Sequence, residues 1–136
     1  MCKLGDIIVV KKYVGDGGEV INKHSFVVVS DEKDSIAGLD YDMVAAAISS
    51  FKSEEHRKRK LRCRENMELP IDAMNGKDFK KSSYVKADQA HYFKKNKIDY
   101  YVLATLKDEY MDELLKLIMK LAAAAEGKLK QITENL

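Results

Sequence analysis

The sequence predicts a small antiparallel β-barrel closed by a C-terminal helix. Three features point there. Short β-branched, apolar runs recur between clusters of turn-forming residues. The long helical periodicity comes last, after the strands. The chain has 136 residues, the length of one domain with its own core and no need of disulfide staples. The expected division is a barrel over about 4–105 and a helix over about 106–132, in a single domain spanning 1–136.

Each element has its own reason. Residues 6–14, DIIVVKKYV, suit a strand. GDGGE (15–19) follows, with three glycines in five residues, and predicts a hairpin loop. Residues 24–30 return as the second strand, where Val27, Val28 and Val29 run consecutively and imply cover on both faces. DEKDSIAGLD is turn chemistry around Gly38. YDMVAAAISS (41–50) has helical propensity in its alanines, but its length and setting favour a strand. Residues 52–64 read as a loop or short helix, MELPI around Pro70 as a short edge strand, since proline cannot donate to a ladder, and residues 73–81 as a loop. Residues 82–89 and 98–105 are two further strands. Thr105 with Asp108 resembles a capping box, and Tyr110, Leu114, Leu117, Ile118 and Leu121 form the helical stripe, which Gly127 ends or frays. Met111, Leu115 and Met119 widen the stripe, so the helix is expected to pack on the barrel and on a second subunit.

Charge and cysteines narrow the class. The formal net charge of +2 names no partner. Residues 52–64, KSEEHRKRKLRCR, hold seven Lys or Arg against two Glu, a local cluster able to attract a polyanion. Cys2 and Cys63 are far apart, with no CxxC pair and no Cys–His metal spacing. No cofactor or metal is therefore expected. The N-terminal apolar run is too short for a signal peptide, and Lys116 and Lys120 interrupt LLKLIMKLAAAA, so no membrane span is expected. The expectation is a soluble, cytoplasmic protein.

Several stretches carry a resemblance. GDIIVVKKYVGDGGEVINKHSFVVVSDEKD is similar to the opening of MazF/PemK-type toxins: a Gly-Asp strand, a glycine-containing loop, and a second strand ending in a turn. MVAAAISS resembles their third strand, SSYVKADQAHYF a later strand with an acidic residue and glutamine before a basic position, and LKDEYMDELLKLIMKL their closing helix. The similarity runs in register over roughly residues 5–121. It implies an SH3-like barrel of the MazF/CcdB/PemK type, a homodimer, metal-free cleavage of single-stranded RNA to a cyclic phosphate, and silencing by a cognate antitoxin. The sequence also departs from the pattern. His24-Ser25 stands where Arg-Pro is usual, Ser49 where a threonine is usual, and His91 where an arginine is frequent.

Under that resemblance the residues sort by chemistry. Metal-free RNA cleavage moves a proton from the 2′-hydroxyl, stabilises a phosphorane and protonates the 5′-oxygen. Histidine suits the proton transfers, a cation the phosphorane, and a hydroxyl the phosphate. His24, Lys23 and Ser49 are the catalytic candidates. Arg57, Arg59, Lys60, Arg62, Lys86, Gln89 and His91 are the RNA-binding candidates. Each also has a plain structural reading: His24 opens a strand, Ser49 satisfies backbone groups, the basic run is a solvated face. Tyr13, Tyr84, Tyr100 and Tyr101 suit either base stacking or a half-buried place in the sheet. The competing function keeps the barrel without catalysis: a module that binds nucleic acid or a protein target, as the gyrase-poisoning CcdB branch does.

Overall fold

A computed structural model describes residues 3–15, 17–32, 40–76, 82–123, 129–133 and 135–136. The turn expected around Gly38, part of the loop expected over 73–81, Cys2 and Gly127 lie outside the described residues. In chain order the elements are β1 (Asp6–Val14), β2 (Val20–Ser30), β3 (Met43–Ser50), α1 (Glu54–Leu61), β4 (Asn66–Leu69), β5 (Met74–Gly76), β6 (Ser83–Lys86), β7 (Gln89–Phe93), β8 (Tyr100–Leu106), α2 (Asp108–Ala122) and β9 (Lys130–Ile132). One strongly curled sheet runs in the order β4-β6-β3-β2-β1-β8-β5, and β7 continues along the β3 edge past β6. Every pair is antiparallel except β7 with β9. This is the barrel-type sheet with a late helix that the strand pattern predicts.

The central strands are buried on both faces over Ile7 to Val10, Phe26 to Val28 and Met43 to Ile48, which explains their unbroken apolar runs. Ile7, Val27, Ala46 and Ile48 face α2, which seats Met111, Leu114 and Leu121 on them. Ile8, Val10, Phe26, Val28, Ala45 and Ala47 face the other way and pack with Tyr13 and Phe93. The alanines of β3 are strand residues because their neighbours on both sides leave no room for more. A shell of larger side chains fills each face, and tertiary packing overrides helical propensity.

Five details differ from the sequence reading. The second strand, expected over 24–30, begins at Val20, so His24 lies within it and does not open it. The single strand expected over 82–89 is two, β6 and β7, separated by a turn at Ala87-Asp88. The loop expected over 73–81 contains β5, which pairs with β8. No capping box forms, because β8 extends through Leu106 and keeps Thr105 in the sheet. Its hydroxyl lies 3.2 Å from Oδ1 of the buried Asp6, whose Oδ2 accepts the Lys3 N–H at 2.9 Å. Lys107 caps α2 without a side-chain bond. Finally, α2 ends at Ala122 where a helix through about 132 was expected, and Lys130–Ile132 returns as β9.

Candidate active site

A cleft of ≈ 260 Å³ opens where β1, β2, β3, β6 and β7 meet, lined by Tyr13, Glu19, His24, Lys86, Gln89 and His91, with Gly15, Ile21 and Ala47 completing its walls. Two breaks in strand alternation build it. Within a regular strand, side chains three residues apart face opposite ways. Lys86 and Gln89 are three apart, yet both line the cleft, because the Ala87-Asp88 turn falls between them. On β2, Lys23 has φ 44°, a left-handed conformation. His24 pairs with Val10 and Ile21 pairs with Tyr13 in one unbroken register, and with the left-handed residue between them Ile21, His24 and Tyr13 line the cleft together. Irregular strand positions of this kind re-aim side chains, and they recur beside functional sites.

Aromatic packing holds the cleft rings. Phe26 is the hub, with its centroid 5.7 Å from His24, 5.0 Å from His91 and 4.9 Å from Tyr13. His91 stacks on Phe93 at 6.1 Å with 12° between ring planes, and its edge meets Tyr13 at 5.8 Å. His91 is only 3 % exposed, so it forms a wall of the cleft and not a mobile surface group. His24 is half-buried.

The electrostatics follow from burial and neighbours. Desolvation, then the Lys86 ammonium, push the His24 pKa below the usual histidine value, against a hydrogen bond to the Ile48 backbone that favours the charged ring. Burial and the Glu19 carboxylate push the Tyr13 hydroxyl up to about 12, so it stays a proton donor throughout the physiological range. Glu19 reaches this position because its side chain folds over Gly15 and Gly17, where a Cβ would collide with the carboxylate. Gly18, at φ 82°, makes the tight turn that sends Glu19 back.

The sequence-derived candidates divide. His24, Lys86, Gln89 and His91 converge on the cleft. Lys23 does not line it. It is exposed, and what it contributes is its backbone conformation. Ser49 is partly buried and pairs with Tyr84, outside the cleft lining. It shares a face with Ala47, two residues along β3. The basic run forms α1, capped by Ser53 through the His56 N–H at 3.1 Å, with no buried residue. Arg57 is committed to Glu68 through two bonds of 2.7 and 3.0 Å. Arg59 and Arg62 are exposed, and Lys60 is partly so. From the cleft, Lys86 leads along β6 to Tyr84, which stacks on Phe51 at 5.0 Å and 26°. Both rings touch His56 of α1, so aromatic packing joins β6 to the basic helix.

Sequence reasoning missed Tyr13 as a site residue and Glu19 altogether. Tyr13 precedes GDGGE and Glu19 is its last residue, and an aromatic and a carboxylate bracketing the glycines was the available signal. Among the described residues no three His, Cys, Asp or Glu side chains converge as a metal site. Among them, too, no helix is long and apolar enough to cross a membrane. Cys63 is exposed.

The family model for PemK-like, MazF-like toxins of type II toxin-antitoxin systems matches residues 3–122. The chain belongs to that family. No curated protein matches it. Membership makes the chain a toxin and implies an antitoxin as its partner. The matched span contains the whole cleft and α1, and it ends at the last residue of α2.

Proposed function

We propose that this toxin is a metal-independent endoribonuclease acting on single-stranded RNA, with the His24 cleft as its active site. The observation that carries the reading is a half-buried imidazole, His24, held towards its neutral form beside the Lys86 ammonium in a cleft of ≈ 260 Å³. In the reaction the O2′–P bond forms and the P–O5′ bond breaks, leaving a 2′,3′-cyclic phosphate. His24 takes the 2′-hydroxyl proton, and its lowered pKa keeps it a free base near neutrality. Lys86 faces the charge that develops on the phosphorane and fills the role first assigned to Lys23. The Tyr13 hydroxyl donates to a phosphate oxygen, and the departing O5′ takes a proton from water. Gln89 contacts a base edge, as readers of unpaired RNA do. His91 braces Tyr13 and Phe26. Ser49 contacts the next phosphate along the same face, and Arg59, Lys60 and Arg62 attract the strand beyond it.

Purified toxin incubated with an unstructured RNA in the presence of a chelator tests this directly. Fragments with cyclic-phosphate 3′-ends and free 5′-hydroxyls are expected. An RNA that stays bound and intact assigns the barrel to the binding-only reading instead. We extend the proposal to assembly as a homodimer through α2, supported by the 70 % exposure of Met119 on that helix. Sedimentation at micromolar concentration decides between monomer and dimer.

A further inference from the structure

The polypeptide does not stop where the family match stops. Past residue 128 it folds back against the sheet and occupies the free edge of β7. Lys130, Gln131 and Ile132 lie parallel to Gln89, Ala90 and His91. The Lys130 N–H donates to the Asp88 carbonyl at 2.7 Å, and Gln131 Nε2 donates to the Tyr92 hydroxyl at 3.0 Å. Ile132 is 1 % exposed and belongs to the core. Leu129 and Leu136 pack with Tyr41, Val44, Ala90 and Tyr92. Asn135 then reaches the far strand. Its Oδ1 accepts the Val14 N–H at 2.6 Å and its Nδ2 donates to the Val14 carbonyl at 2.9 Å, so one side-chain amide imitates a strand pair.

The two anchor points are not arbitrary. β7 carries Gln89 and His91, and Val14 lies between Tyr13 and Gly15. These are adjoining walls of the cleft, whose Tyr13 and His91 rings meet at 5.8 Å, and the tail ties one to the other. Val14 is the last residue of β1 and pairs with Val20 of β2. We propose that the C-terminal tail is a strap that holds the end of β1 against β7, with Asn135 as a positioning residue that sets Tyr13 against His91. The tail lies beyond the residues that the family model matches. The catalytic part of the claim rests on the nuclease reading above, and the geometric part does not.

The test uses the full chain with Asn135→Ala and Asn135→Asp. Aspartate keeps the acceptor for the Val14 N–H and loses the donor to its carbonyl, so the strap predicts a graded series. Expected for alanine are at least tenfold faster amide exchange at Val14, shifted Tyr13 and His91 side-chain resonances, and unchanged exchange at Val27 in the core. The aspartate variant should fall between parent and alanine. In cleavage assays kcat should drop about tenfold with KM little changed, because misplaced groups lose transition-state contacts first. Unchanged resonances and exchange in both variants overturn the proposal, as does uniform loss of protection throughout the sheet. If the parent cuts no RNA but the resonances and exchange follow the graded series, the strap stands and only the nuclease reading falls.

Discussion

Lys23 offers a clean separation of backbone from side chain. It is exposed, and its φ of 44° is a conformation that L-residues with a Cβ adopt at a cost. That cost is about 1–2 kcal/mol, and glycine avoids it. Glycine also gives the unfolded chain more freedom, an opposing effect of about 0.5–1 kcal/mol. Lys23→Gly should therefore stabilise the protein by roughly 0.5–1 kcal/mol, a rise in Tm of about 2–4 °C for a chain of this size. Lys23→Val puts a β-branched residue where it fits worst, and should destabilise by about 1 kcal/mol or more. Thermal melts read the stability, and RNA cleavage reads the chemistry in the same samples. The account requires Lys23→Gly to melt higher and to cleave like the parent, because the ammonium takes no part. A glycine variant that melts like the parent and loses activity a hundredfold would return the catalytic cation to Lys23 and refute the reasoning.

The other perturbations act on charge. With the His24 pKa lowered, the acid limb of the cleavage profile should lie below pH about 6.5, the ordinary histidine value. Lys86→Met removes a cation that opposes protonation, so that limb should move to higher pH while the maximal rate falls. Stability should follow the same group. The folded state prefers neutral His24, so its contribution is present above the unfolded pKa and lost as pH falls through the folded one. Melts from pH 7.5 to 5 should show that decline, and it should shrink in His24→Gln. On α1, Arg57→Ala should loosen the helix from β4 and speed its amide exchange, whereas Arg59→Ala and Arg62→Ala should leave exchange alone. The latter two should weaken RNA binding and reduce its salt dependence by about one charge each.

The sequence made much of the fold readable because two-sided burial writes itself into composition. Val27 to Val29 could only be a strand covered on both faces, and the stripe from Met111 to Leu121 could only be a packed helix. The cleft was half readable. Histidine, lysine and glutamine suit the chemistry that the resemblance implies, and His24, Lys86, Gln89 and His91 were recoverable on that basis. What a linear pattern could not supply was the pair of breaks that aim them. Lys23 looks like any strand lysine until its φ is known, and KADQ looks like a continuous strand until Ala87-Asp88 turns. Period-two reasoning puts Tyr13 and Val10 on opposite faces, so Tyr13 was left among the ordinary sheet tyrosines. The tail was missed for another reason. Three residues of β9 carry too little pattern to be told from a fraying helix end, and their placement depends on partners some forty residues away in the chain and more.

The central claim is that His24 transfers the proton in RNA cleavage, and His24→Ala measures it most directly. The side chain is half-buried at the cleft edge, so the variant should fold with a melting profile close to the parent's. Single-turnover cleavage of an unstructured RNA at pH 7.5 should then fall by about a hundredfold or more, the scale on which a general base contributes. A folded His24→Ala protein that cuts RNA at the parent rate would contradict the account and leave the histidine as a residue of the strand alone.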